Sequence, residues 1–252
     1  MTVLPAHPWG GPRASPAATL VALHGIRGHG RRWRFLTPLS GYGLDLRGHG
    51  HAPAPPPWTL EQHARDVLDT LDALRADAVD LVGLSFGGAV ALHVAAQAPR
   101  RLRRLVLLDP AVGLEPAEAL ERARAAQAAP SFGTVAEARS ERARLWPGAS
   151  AAVVDAEVRE HLRQGGDGRW RWSYEPSAVV AAFSEMSRPA PPPPPGVPTL
   201  LVCARTGSLV PRAYAADCRA AGVEVQVIDA GHGMDIEAPH LTRALVAGFL
   251  ER

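Results

Sequence analysis

The chain has 252 residues, 46 % of them hydrophobic, and 27 basic residues face 25 acidic ones. That length suits one catalytic domain with an insertion, and so even a balance, with arginines scattered over several segments, excludes a nucleic-acid-binding stripe. The opening Met1 to Pro16 lacks the charged end and apolar run of a secretory signal, and no stretch stays apolar for the ~18 residues a membrane span needs.

Taken in order, Thr19 to Leu23 (TLVAL) and Gly43 to Leu46 (GLDL) read as buried strands, each followed by a glycine-rich turn. Leu60 to Leu74 repeats apolar residues at helical spacing, and Val79 to Leu84 (VDLVGL) is the next strand. A helix after Ser85-Phe86-Gly87-Gly88 runs to about Pro99, and Leu102 to Leu108 (LRRLVLL) is a strand ended by Asp109-Pro110. This alternation predicts an α/β fold with a mainly parallel central sheet flanked by helices.

From about Ala111 to Arg188 the strand pattern gives way to helical periods rich in Ala, Glu and Arg, broken by Pro130, Pro147 and Gly165 to Gly168. The expectation is an inserted helical cap over residues 111–195, returned to a core of residues 1–110 and 196–252 by the stiff run Pro189 to Pro195. Pro198 to Cys203 and Val223 to Ile228 resume the strands. Tyr214 to Ala221 and His240 to Leu250 read as helices, which leaves His232 in the loop before the last one.

Gly83-Leu84-Ser85-Phe86-Gly87 is a G-x-S-x-G sequence between a strand and a helix, the setting in which such a serine is exposed on a sharp turn as a nucleophile. A serine hydroxyl needs a base within hydrogen-bond reach. His232, flanked by Gly231 and Gly233 after the last strand, is the candidate. Backbone N–H groups of Ile26, in the glycine-rich turn after the first strand, and of Phe86 are the candidate oxyanion donors.

The motifs LHG at 23–25, DLRGHG at 45–50, GLSFGG at 83–88 and GHG at 231–233 together resemble the α/β-hydrolase superfamily, in particular its cap-bearing branch of esterases, lipases and related hydrolases. The resemblance implies that Asp45 and Arg47 to Gly50 build a structural turn near the site. It also implies a triad acid in a Gly-x-x-Asp segment after the strand at 198–203, yet Ala204 to Ser208 carries no carboxylate. Asp109 is the candidate replacement, since it ends a strand at the same sheet edge as Ser85 and some family members carry the acid there. Asp235 is a weaker one.

The reaction expected is hydrolysis of a small-molecule carboxylic ester through an acyl-enzyme, without metal or organic cofactor. Acyl transfer, carbon–carbon bond hydrolysis by a serine enzyme, and a non-catalytic ligand-binding role stay open. Trp146, Trp170, Trp172, Tyr174, Phe183 and Met186 offer apolar surface either to line a site or to pack the cap. Cys203 and Cys218, in no metal-ligating spacing, read as reduced thiols, and the expected location is cytoplasmic. Nothing in the pattern fixes the oligomeric state.

Overall fold

The computed structural model describes residues 1–11 and 19–252. The end of the proline- and glycine-rich opening stretch lies outside the described residues. A seven-stranded sheet is built from β1 (Ala6–Trp9), β2 (Thr19–Leu23), β3 (Gly41–Leu44), β4 (Val79–Leu84), β5 (Leu102–Leu108), β8 (Thr199–Thr206) and β9 (Glu224–Gly231). Its order is β1-β3-β2-β4-β5-β8-β9. β1 runs antiparallel to β3 and the remaining neighbours pair in parallel.

The central strands are apolar over most of their length because the sheet is covered on both faces. The charged residues of β4 and β5, Asp80, Arg103 and Arg104, pair with one another near the strand starts. Val21, Leu23, Leu81, Leu105, Leu107 and Leu201 enter one buried cluster, shared with α1 (Leu60–Ala73), α2 (Phe86–Gln97) and α7 (Arg212–Ala220). Their neighbours Leu20, Ala22, Val82, Leu84, Val106, Leu108, Leu200 and Val202 point the other way, onto Trp33, Leu36 and helix α9 (Pro239–Leu250). The period-2 pleat thus sorts each run into two cores, and each fully buried Leu or Val contributes about 1.5–3 kcal/mol. Helix α1 starts where the Thr59 hydroxyl accepts the Gln62 N–H, and its Leu60, Ala64, Val67 and Leu71 form the buried stripe.

Between β5 and β8 lie α3 (Pro116–Gln127), α4 (Val135–Leu145), α5 (Ala151–His161) and α6 (Pro176–Met186). This segment is not all helical, since β6 (Leu162–Gln164) and β7 (Trp170–Trp172) pair antiparallel across the Gly165–Gly168 turn. Phe132, Ala138, Leu162 and Trp172 make a small core of their own there, while Phe183 and Met186 join the main one. Cys203 and Cys218 are buried and free, and burial pushes the Cys203 thiol up to about 11. Among the described residues no helix is long and apolar enough to cross a membrane.

Candidate active site

Ser85 stands between β4 and α2 with φ 54 and ψ −118, a left-handed backbone for a residue that is not glycine. The turn is held by the parallel neighbour: Ser85 N–H donates to Leu108 O and Ser85 O accepts from Ala111 N, both at 3.0 Å. It closes only without side chains at its flanks. A Cβ at Gly83 would strike the Gly87 carbonyl, and one at Gly87 would strike the Leu23 carbonyl.

The neighbouring strand β5 ends on Leu108 and leads straight into Asp109, itself at φ 41 and fully buried. Asp109 N–H donates to Val202 O at 2.7 Å, which extends the β5–β8 pairing by one residue and turns the side chain toward the sheet's carboxyl edge. Oδ1 accepts from Ala204 N at 2.9 Å and Ser208 Oγ at 2.5 Å, and Oδ2 accepts from Leu209 N at 3.0 Å. Burial alone would raise the pKa of this carboxyl; the bonds from His232, Ser208, Ala204 and Leu209 outweigh it and hold the group below the ordinary carboxylate value.

His232, just past the end of β9, completes the line. Its Nδ1 is 2.6 Å from Asp109 Oδ2 and its Nε2 is 2.8 Å from Ser85 Oγ. With Asp109 ionised, the proton belongs on Nδ1, which leaves the Nε2 lone pair for the serine hydroxyl. The three residues, 123 and 147 positions apart in sequence, therefore form one hydrogen-bonded chain. Asp235, the weaker acid candidate, is not in it. It sits on the short helix α8 (Met234–Glu237), where burial raises its pKa against the nearby Arg32 charge.

Phe86 is the first residue of α2, so its N–H is among those a helix leaves without an intrahelical partner. Gly25 packs against the other side of Ser85, where an added Cβ would lie 3.3 Å from the Ser85 Cβ. This brings the following residue, Ile26, to the rim of the same cavity. The cavity has a volume of about 480 Å³ and is lined by Ile26, Leu84, Ser85, Trp146, His232 and Ile236 among others. It meets a second one of about 620 Å³ at Arg32, Trp146, Asp235 and Ile236. Of the aromatic residues in the insertion, Trp146 reaches this space, whereas Trp172 is buried against Phe132 and Tyr174 lies by the Arg27 guanidinium.

Asp45 and Arg47 take no part in the hydrogen-bonded chain. Asp45 accepts from Gly30 N at 2.7 Å and His51 N at 2.9 Å, and Arg47 forks onto Asp66. Ser208, which bonds Asp109, and Arg32, which lines the cavity and is held by Glu157, stand in no motif that would single them out.

Comparison with known proteins agrees with this architecture. Lipase LipV of Mycobacterium tuberculosis is 36 % identical over 234 residues, covering 90 % of this chain and 88 % of that protein. The 2-hydroxy-6-oxo-2,4-heptadienoate hydrolase of Pseudomonas putida is 42 % identical over 85 residues, 33 % of this chain and 29 % of its own. The crystal structure of an E-2-(acetamidomethylene)succinate hydrolase superposes with a TM-score of 0.82 at 20 % identity, over 99 % of this chain and 95 % of its own, a likeness of fold. A family model described as the alpha/beta hydrolase family matches residues 20–247, and the chain belongs to that family.

Proposed function

We propose that the protein is a serine hydrolase that cleaves a carboxylic ester through an acyl-enzyme, with Ser85 as nucleophile, His232 as general base and acid, and Asp109 as the triad acid. The observation that carries the reading is the continuous line Ser85 Oγ–His232 Nε2–Nδ1–Asp109 Oδ2, with spacings of 2.8 and 2.6 Å, opening on a cavity. Ser85 Oγ attacks the ester carbonyl carbon while its proton passes to His232 Nε2. The carbonyl oxygen becomes an anion facing the Ile26 and Phe86 N–H groups, which are fixed before charge develops. Collapse breaks the C–O bond, His232 returns the proton to the leaving alcohol, and water repeats the sequence to free the acid and Ser85.

Ester hydrolysis is favoured over the other serine chemistries because the match to a lipase runs over 90 % of the chain, whereas the P. putida hydrolase matches a third of it. The substrate class is a small-molecule ester sized to the cavity. The test is release of p-nitrophenol from esters of increasing chain length by wild type and Ser85→Ala. Turnover abolished in the variant is expected; equal rates for the two proteins would overturn the reading.

A further inference from the structure

Glu157 lies on α5, in the insertion, yet its side chain is only 2 % exposed and is turned to the loop that follows β2. Its carboxylate accepts from Arg32 Nε at 3.0 Å and Arg32 Nη2 at 2.5 Å, and lies 3.0 Å from His29 Nε2 and 3.2 Å from His161 Nδ1. The Arg142 guanidinium of α4 stands 3.8 Å away. Burial penalises the charge, but Arg32 and the bonds from His161, His29 and Arg32 more than offset this and hold the pKa well below the ordinary value.

His29, Glu157 and His161 offer three ligand atoms within 4.8 Å of one another, the spacing of a cation site. Two guanidinium groups already neutralise that carboxylate and would repel a metal ion there. The cluster is therefore an anchor, and what it anchors is the loop beside Ser85. Arg32 Nη2 also reaches Arg27 O at 3.4 Å, one residue beyond Ile26. Arg27 has φ 56, a left-handed conformation that its surroundings must hold. From the core side the same loop is tied by His24 Nδ1 to Gly25 O at 2.8 Å, by Leu46 N to His24 Nε2 at 3.0 Å and by Gly30 N to Asp45. It thus has two supports, one in the turn just past β3 and one in the insertion.

We propose that Glu157 is a positioning residue for the oxyanion-binding loop: through Arg32 and His29 it holds the Ile26 N–H in register with Ser85. Seating of the insertion and assembly of the oxyanion site are then one structural state. This rests on the serine-hydrolase reading above.

The test compares wild type with Glu157→Gln, which keeps size and removes charge, Glu157→Asp, which restores charge, and Arg32→Lys, which keeps charge and loses the planar fork. Four readouts are taken: kcat and KM on p-nitrophenyl butyrate, affinity for benzeneboronic acid, melting temperature, and amide hydrogen exchange of residues 25–32. The boronate is informative because its serine adduct places an anionic oxygen before the same N–H donors. In Glu157→Gln and Arg32→Lys, kcat is expected to fall roughly 10- to 100-fold with KM within about twofold, boronate affinity to fall in parallel and loop exchange to quicken. Glu157→Asp should recover part of each. A lower melting temperature with kcat, boronate affinity and loop exchange unchanged would overturn the proposal. Should the ester reading itself fail, wild type will show no Ser85-dependent turnover, and loop exchange then decides alone: faster in Glu157→Gln supports the coupling, unchanged refutes it.

Discussion

The Ser208 hydroxyl donates to Asp109 Oδ1 at 2.5 Å across 99 residues of sequence. The end of β8 and the loop after it, which bring no carboxylate of their own, supply three donors to the carboxylate that arrives from β5: the Ala204 N–H from the strand, and Ser208 Oγ and the Leu209 N–H from the loop. Position and charge of the acid are thus divided between two strand ends.

Asp109→Asn keeps the shape of this junction but destroys the acceptor that fixes the His232 tautomer, so kcat should drop on the order of 10³- to 10⁴-fold. Ser208→Ala removes one charge-assisted bond and leaves the carboxylate, for an expected kcat loss of roughly 10-fold with little change in KM. Steady-state kinetics on one short ester measures both. An Asp109→Asn variant as active as Ser208→Ala would remove Asp109 from the mechanism.

Gly87→Ala places a methyl group against the Leu23 and His24 carbonyls, rigid backbone that cannot swing aside. Destabilisation of at least about 2 kcal/mol is expected, together with loss of turnover as β2 and the elbow separate. Chemical denaturation and kinetics on the same preparation check it; wild-type values in both would mean the elbow is looser than its geometry.

Acid should destabilise the protein well before its carboxylates are protonated. His63 and His49 are buried, and desolvation lowers their pKa to about 3 and about 4, well below the ordinary histidine value. Below about pH 6.5 the unfolded chain takes up protons that these buried rings refuse, so stability falls as pH drops, at up to about 1.4 kcal/mol per pH unit per histidine. The loss stops once pH passes below the folded values. Asp109 adds to the same trend lower down, since its depressed pKa contributes stability that disappears as pH falls through it. In His63→Leu, the plot of melting temperature against pH between 6.5 and 4 should be flatter than in wild type. An identical slope would show that His63 takes up its proton in the fold.

Trp146 lines both cavities, with the Arg32 and Arg142 guanidinium carbons 4.9 and 4.7 Å from its ring centroid. Trp146→Ala removes apolar contact where a long acyl or alcohol group would lie, so KM should rise roughly 10-fold for long esters and little for acetate. A uniform fall in kcat at every chain length would instead assign the ring to holding Arg32.

The strands TLVAL, VDLVGL and LRRLVLL are legible because burial on two faces demands short, dense apolar runs, broken by charge here only at Asp80, Arg103 and Arg104, and their bounds agree with the structure to the residue. The run GLDL reads as a strand two residues beyond the true one. The strand is Gly41–Leu44, because Gly43 must lie flush against Gly30 O while Asp45 has already turned away to accept Gly30 N. Strand β1 escaped notice because its Pro8 and His7 suit only an antiparallel edge. The β6–β7 hairpin did so because Leu-Arg-Gln and Trp-Arg-Trp are too short to show a period. Of the site, Ser85 and His232 announced themselves by flanking glycines. Asp109 followed from the place of its strand in the fold, whereas Ser208 and Glu157 act across 99 and 125 or more residues, a distance at which one sequence carries no pattern.

The Asp109 N–H bonded to Val202 O makes the acid a rung of the β5–β8 ladder as well as a partner of His232. The sheet cannot open at that rung without dismantling the hydrogen-bonded chain, so fraying of this one seam would silence the enzyme while the rest of the fold stands.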